Sequence, residues 1–359
     1  MHKNIYLILS TFLIIAFIFG CTQPDVLPVE ENLSDTGEVV DESQETTDPA
    51  TQETTDPATQ EITEPVTHKT DDKFKLLIGD TENHRVILVN RDKEVVWQYG
   101  CEETNDLGKC SFGSDYGELY RVYGASFAGE NIIVTDYENN RILELTPDKK
   151  IRWTYGEDYG FGDGELNKPN YAVKNLETGN VLIADGLNNR VVEVTSAYET
   201  VWKYGCKRLN SAGKCAYGTE LNELRNPYYV EYAGENYLIT DSENNRVLEV
   251  SPDKQIVFEY DKLSLPYMAT KLENGNYLIS NSRANKVIEV TPEKEVVWSK
   301  EGLSMPTAAK RLDDGNTLIM EQTSNHIIEV DPEGEIVWEY GGSFGAKEGQ
   351  LGRPRNFDI

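Results

Sequence analysis

The sequence predicts an all-β, six-bladed β-propeller of four-stranded blades, with the ring closed by the C-terminal strand. Three observations predict it. One unit recurs six times between Lys75 and Gly341, starting at Lys75, Asn131, Asn180, Asn236, Asn276 and Asn316. Its apolar positions alternate with period two, and no i, i+3, i+4 stripe of a helix interrupts them. A unit of about 40 residues built this way is the signature of a propeller blade.

The elements follow in order within each unit. In the copy from Asn131, residues 131–135 read as a strand, 136–140 as a hairpin turn and 141–146 as the returning strand. Pro147, Asp148 and Lys149 make a second turn, and Ile151, Trp153 and Tyr155 alternate along a third strand. A fourth strand lies upstream of each unit. It is announced by Leu-x-x-Pro at Leu166/Pro169, Leu224/Pro227, Leu263/Pro266, Leu303/Pro306 and Leu351/Pro354, with Val122 replacing the proline after Leu119. The last landmark has no unit after it, while the first unit lacks a strand before it. Residues 354–359 therefore supply the innermost strand of blade 1, which leaves no open sheet edge.

The propeller spans residues 74–359, and two different segments precede it. Residues 1–21 read as a signal peptide, with His2 and Lys3 ahead of an apolar run from Ile5 to Phe19 that is short for a membrane span. Gly20 and Cys21 then resemble a lipobox, whose cysteine is acylated and becomes the mature N-terminus; Phe19 departs from the small or hydroxyl residue usual there. Lipidation at Cys21, a plainly cleaved signal and an uncleaved anchor all put the remainder outside the cytoplasm, and the first makes this a membrane-anchored protein. Residues 22–73 form a disordered acidic stalk of Thr, Pro and Glu with a duplicated TTDPATQE, too poor in large apolar residues to offset the entropy of folding.

The net charge is −28, and the stalk carries about half of it. A surface this acidic argues against nucleic acid as a partner, because phosphate backbones call for basic patches. Of the five cysteines, Cys21 stands apart and four lie in two look-alike segments, YGCEETNDLGKC and YGCKRLNSAGKC. Equal spacing at the same inter-blade position favours local disulfides, Cys101 with Cys110 and Cys206 with Cys215. A tetrathiolate zinc site would require two loops that are two blades apart to converge.

The landmarks Asp80, Asp136, Asp185, Asp241, Asn281 and Glu321 are separated by 56, 49, 56, 40 and 40 residues. The excess falls in the connections between blades: disulfide loops at junctions 1/2 and 3/4, Gly-rich loops at 2/3 and 6/1, and almost nothing at 4/5 and 5/6. One face should be walled along blades 1 to 4 and low around blade 5. The residues after the Leu-x-x-Pro landmark stand at the channel mouth on that face: Tyr123, Asn170, Tyr171, Tyr228, Tyr229, Tyr267, Thr307 and Arg355. These are the candidate ligand-binding residues. Tyrosine, of which the chain has 20, offers a flat apolar ring with a polar tip to sugars, peptides or aromatic ligands.

Other residues read as architecture. Trp97, Trp153, Trp202, Trp298 and Trp338, with Phe258 as the sixth member, share one repeat position and serve core packing or blade docking. Acids at Asp80/Glu82, Asp136/Glu138 and Asp241/Glu243 could ligate calcium, though no Asp-x-Asp-x-Asp-Gly loop is present, and no other metal or cofactor is indicated. His84 and His326 occupy adjacent turn positions of blades 1 and 6 and replace Asn or Arg of other copies, so repeat drift explains them better than a shared acid–base or metal role. No Gly-x-Ser-x-Gly, His-Glu-x-x-His or phosphate-binding Gly loop occurs.

The Gly-x-Gly-Asp-Gly-Glu-Leu-Asn-x-Pro run at 160–169, together with Asp-x-x-Asn-x-Arg-Val at Asp80, Asp185 and Asp241, resembles the NHL-repeat family. Blade 5 (Asn281, Ala284, Lys286) and blade 6 (Glu321, His326) depart from its pattern. The resemblance implies a six-bladed fold, and many family members bind proteins or, in the cytoplasm, RNA. A weaker similarity, to arylsulfotransferase-like propellers, rests on the run from Asn316 to Trp338; those enzymes use a channel histidine as nucleophile, and no histidine here lies on an innermost strand. Quinone-binding dehydrogenase propellers share the ending but generally have eight blades. The reading is a surface-anchored propeller that binds a cell-surface protein, a glycan or a small aromatic ligand at its channel mouth without catalysis. The alternative is an arylsulfotransferase-like or other propeller enzyme.

Overall fold

A computed structural model describes residues 74–106, 108–156 and 158–359. The signal peptide expected over 1–21, the lipidation expected at Cys21 and the stalk expected over 22–73 lie outside the described residues. Six four-stranded antiparallel sheets form the propeller. Counted from the axis outward, blade 2 is Val122–Ala128, Asn131–Asp136, Arg141–Leu145 and Ile151–Gly156. Blade 3 is Pro169–Lys174, Val181–Asp185, Arg190–Val194 and Thr200–Gly205. Blade 4 is Pro227–Ala233, Asn236–Asp241, Arg246–Val250 and Ile256–Tyr260. Blade 5 is Pro266–Lys271, Tyr277–Asn281, Lys286–Val290 and Val296–Lys300. Blade 6 is Pro306–Arg311, Thr317–Glu321, His326–Val330 and Ile336–Gly341.

Blade 1 is assembled from both ends of the described chain. Its outer strands are Leu76–Asp80, Arg85–Val89 and Val95–Tyr99, and its innermost strand is Asn356–Asp358. The register sets Leu77 against Asp358, Ile78 against Phe357 and Gly79 against Asn356. The ring closes as the sequence predicts, with the pairing confined to three residues.

Burial follows the alternation and the layer. Second strands are buried on both faces because blades stack on either side of them, as in Leu76–Asp80 and Val181–Asp185. Outermost strands alternate, and Val96, Val201, Val257, Val297 and Val337 remain exposed. The shared Trp position docks each blade on the next. Trp97 donates to the Pro147 carbonyl at 2.9 Å, Trp202 to Pro252 at 3.0 Å, Trp298 to Pro332 at 3.2 Å and Trp338 to Arg91 at 3.0 Å across the closure. Phe258 of blade 4 cannot donate and instead stacks on Tyr277 of blade 5 at 3.9 Å.

A second set of bonds stitches the opposite edge of the blades. The residue at the end of each first hairpin lends a side-chain acceptor to the next blade: Asn140 to the Lys168 N–H, Asn189 to Asn226, Asn245 to Leu265, Asn285 to Met305 and Asn325 to Arg353. In blade 1 the acceptor is His84 Nδ1, 3.1 Å from the Arg121 nitrogen. His84 has φ 53°, the left-handed conformation its Asn counterparts share. It is a structural stand-in for asparagine.

Candidate functional site: one walled face and two channel mouths

The mouth residues are aimed by a bulge. Just after the landmark, the ladder between first and second strands slips at Val122/Gly124, Pro169/Tyr171, Pro227/Tyr229, Pro266/Met268 and Pro306/Ala308. A bulged residue leaves the ladder and its side chain is re-aimed. The skipped residues are Tyr123, Asn170, Tyr228, Tyr267 and Thr307, and Arg355 precedes the paired Asn356 in blade 1. One residue per blade thus converges on the axis.

All eight sequence-predicted residues line one small cavity, joined by Met268 and Asn356. Its volume is about 10 Å³, enough for one water. The side chains occupy the mouth themselves. Tyr228 and Tyr267 stack with centroids 4.2 Å apart, and Tyr171 lies 4.4 Å from Tyr229. The Arg355 guanidinium sits 4.1 Å over Tyr123, 5.7 Å from Tyr228 and 5.9 Å from Tyr267, and donates to the Tyr228 hydroxyl. Burial opposes its charge, but the facing phenols Tyr228, Tyr123 and Tyr267 outweigh that and hold its pKa above the ordinary value. Burial pushes the Tyr228 and Tyr229 phenols far up, so they remain neutral donors.

Tyr137 belongs to this assembly and sequence reasoning missed it. Its ring stacks on Tyr123 at 3.6 Å. The signal was available: Thr81, Gly186, Ser242, Ser282 and Gln322 hold the same repeat column, and only blade 2 has an aromatic there. Two of the small residues in that column bond the neighbouring inner strand, Thr81 to the Val122 carbonyl and Ser282 to Pro306.

Four of the six junctions carry insertions, and one set of side chains holds them. Asp136 Oδ2 accepts from Arg141 Nε and Asn139 Nδ2 at 2.8 Å each, while Oδ1 accepts the Tyr120 N–H at 2.7 Å. Arg141 then donates to the carbonyls of Ser114 and Glu118, and Asn139 to Gly113, all in the insertion before its blade. Arg85, Arg190 and Arg246 hold the other three insertions in the same way. Blades 5 and 6 have Lys286 and His326 instead, and the connections before them are 261–265 and 301–305 with nothing to hold. Those departures from the repeat are not drift: the Arg appears where an insertion precedes it.

The carboxylates weighed as calcium ligands are occupied by these bonds. Asp80, Asp136 and Asp241 each pair with an Arg, Glu82 pairs with Arg121, Glu138 with Lys168, and Glu243 with Arg225. His84 lies against Phe112 and Tyr120, and His326 faces Glu321 and Glu339, so the two histidines have separate partners.

Both disulfides are present, Cys101–Cys110 and Cys206–Cys215. Each closes a turn in which Asn105 or Asn210 accepts from the Lys109 or Lys214 N–H. Disulfides of this kind belong to a protein that meets an oxidising, extracytoplasmic compartment. Among the described residues no helix is long and apolar enough to cross a membrane.

The walled face has its cavity elsewhere than the low side by blade 5. A space of about 740 Å³ opens between the first stapled loop and the 6/1 loop, lined by His84, Thr104, Lys109, Phe112, Phe344 and Gln350 among others. His84, Phe112 and Tyr120 pack together on one side of it, with Phe112 stacked 4.3 Å from Tyr120. At the other end of the channel lies a second cavity of about 510 Å³.

No family model matches the chain, and no curated protein matches it. Among solved structures, it is similar to a protein of unknown function from Bacteroides caccae, with TM-score 0.57 and 17% identity over 79% of this chain and 97% of that one. It is also similar to a chain of a nidogen/laminin complex, with TM-score 0.54 and 14% identity over 79% and 97%. A streptogramin B lyase aligns with TM-score 0.46 and 17% identity over 61% of this chain and 68% of that one. At these identities the first two show the fold, a six-bladed β-propeller, and nothing finer.

Proposed function

We propose that the chain is an NHL-type binding module, displayed outside the cytoplasm by lipid on Cys21 and the acidic stalk 22–73, which takes a protein or glycan partner on its walled face without turning it over. One observation carries this reading. Of the aromatic rings strongly exposed among the described residues, Phe112, Tyr116, Tyr159, Phe161, Tyr217 and Phe344 all stand on the four insertions. The exception, Tyr198, lies against Trp153 and Tyr155. Exposed apolar rings clustered on one face mark an interaction surface. Rings on loops already fixed by disulfides and arginines lose little freedom on binding. The Tyr and Arg355 plug supplies the floor of this surface, with Tyr137, Tyr228 and Arg355 partly exposed at the centre.

The test uses the full chain and a variant with Phe112, Tyr116 and Phe344 all changed to Ala, run side by side on a glycan array and in capture of extracellular proteins. A ligand retained by the wild type and by Tyr198→Ala, but weakened at least ten-fold in the triple variant at an unchanged melting temperature, supports the reading. A ligand that ignores the triple variant refutes it. Cys21→Ser should move the protein out of the membrane fraction.

A further inference from the structure

The channel end opposite the walled face is built differently from the plugged mouth, and its charges do not balance. The cavity of about 510 Å³ there is lined by the far ends of the inner strands of blades 4, 5 and 6, including Glu231, Met268, Thr270, Lys271, Lys310 and Arg311. Each base already has a carboxylate of its own. Lys271 Nζ pairs with Glu249 at 2.8 Å, Lys310 with Asp358 at 2.7 Å and Arg311 with Glu289 at 2.8 Å. Glu231 is the lining acid on an inner strand, and it has no ion pair among the described residues. Its Oε1 accepts the Lys271 backbone N–H at 2.7 Å, and its Oε2 receives only a long bond from the Tyr229 hydroxyl at 3.3 Å. Buried polar groups ordinarily find partners, and a lining carboxylate without a base of its own invites a ligand that supplies a donor.

We propose that this cavity is a binding site for a small organic cation bearing a primary ammonium group, which donates to the Glu231 carboxylate while its apolar body lies on Met268, Leu272 and Leu312. An anion would have to break one of the three ion pairs. A hard metal ion would need several free oxygens, and among the described residues no group of three or more acids, histidines or cysteines converges. An ammonium matches an inner-strand carboxylate without a base beside apolar side chains, and the exposed Glu273 and Asp313 of the same lining add to its attraction.

The site reports its own occupancy through a proton. Burial pushes the Glu231 carboxyl up to about 7; the Lys271 N–H, the Tyr229 hydroxyl and Lys310 pull it down, and Asp358 pushes it up. Tyr171 and Tyr229, the neighbouring phenols, are raised by burial and hold their protons throughout this range. A cation beside Glu231 favours its ionised form, so binding near neutral pH releases a proton. Affinity rises as pH rises through about 7 and levels off above it.

Isothermal titration of the full chain with benzylamine, and with benzyl alcohol as its uncharged counterpart, tests this. Benzylamine should bind about ten-fold more tightly at pH 8 than at pH 6, the ratio set by ionising a group of pKa near 7. Its heat at pH 7 should differ between buffers of different ionisation enthalpy, reporting the released proton. Glu231→Gln should weaken binding at least ten-fold and abolish the pH dependence, and Phe112→Ala on the other face should leave it unchanged. Failure of benzylamine to bind at millimolar concentration, equal binding of benzyl alcohol, or binding indifferent to both pH and Glu231→Gln overturns the proposal, with melting curves confirming that each variant is folded. None of these outcomes bears on the walled face.

Discussion

The junctions before blades 1 to 4 and those before blades 5 and 6 make an internal experiment within one chain. The former carry insertions, and each is followed by an Asp, an Asn and an Arg that bond the inserted backbone; the latter are five residues long and lack the Arg. The preceding strand differs in the same way. Tyr-Gly ends the outer strand at Gly100, Gly156, Gly205 and Gly341, whereas Asp261 and Glu301 hold the position before a short connection. Gly156 has φ 101°, and a Cβ there would lie 2.2 Å from the Asn140 carbonyl oxygen. The tyrosine hydroxyl accepts from the insertion, as Tyr99 does from the Gly117 N–H at 3.1 Å and Tyr204 from Asn222 at 3.0 Å. A repeat that looks degenerate in two copies is thus a complete device for holding a loop, present where there is a loop to hold.

Substitution on the two sides should break this symmetry most where a buried charge is stranded. Arg141→Ala leaves Asp136 buried and unpaired and should cost about 3–5 kcal/mol in urea unfolding. Lys286→Ala, at the equivalent place in blade 5 and beside the exposed Glu301, should stay within about 0.5 kcal/mol. Equal losses at the two positions would mean that the Arg serves the blade and not the insertion. Next comes the staple: Cys101→Ser with Cys110→Ser opens a loop of ten residues and should lower stability by about 2–3 kcal/mol, with non-reducing peptide maps of the wild type yielding Cys101–Cys110 and Cys206–Cys215 peptides. Gly156→Ala should cost roughly 1–2 kcal/mol through backbone strain, and Glu301→Ala close to none.

The smallest effect separates the two histidines by sign. His326 has its pKa lifted above 6.5, chiefly by the bond to Glu321. It adds stability that is fully present below pH 6.5 and lost as pH rises through the lifted value. Burial lowers the pKa of His84, so its contribution is present above pH 6.5 and lost as pH falls through the lowered value. His326→Gln should therefore reduce stability on the acid side, whereas His84→Asn, the residue used by five other blades, should relieve an acid-side loss. Thermal melts between pH 5 and pH 8 read both slopes.

Blade number, ring closure and disulfide pairing were legible in the sequence because each depends on counting repeats in register. The same counting brought Tyr123, Asn170, Tyr228, Tyr267, Thr307 and Arg355 to one place on the axis. What counting does not supply is volume. Whether six converging side chains leave a mouth or close it depends on ring size and tilt summed over all blades, and here Tyr137, Tyr228 and Tyr267 fill the space. The lower cavity was hidden for a related reason: Glu231 is an ordinary strand residue until three neighbouring ion pairs are seen to leave it out. The link between Arg and insertion was present in the sequence but concealed by reading the exceptions as drift.

The three-residue closure also decides how the ring would carry a mechanical load. The described chain enters the propeller at Leu76, in a strand clamped between Arg85–Val89 on one side and Asn356–Asp358 on the other. Asp358 is itself tied to the Phe127 N–H of blade 2 and to Lys310 of blade 6. Tension arriving from the N-terminal side therefore loads the ladders of blade 1 in shear, many hydrogen bonds at once, instead of unzipping them singly. Pulling on the C-terminus meets the three-residue strand, the Phe357 ring in the core and the two ties of Asp358. A ring held from its front end resists flow at its strongest seam, and one held from its tail would open at its weakest.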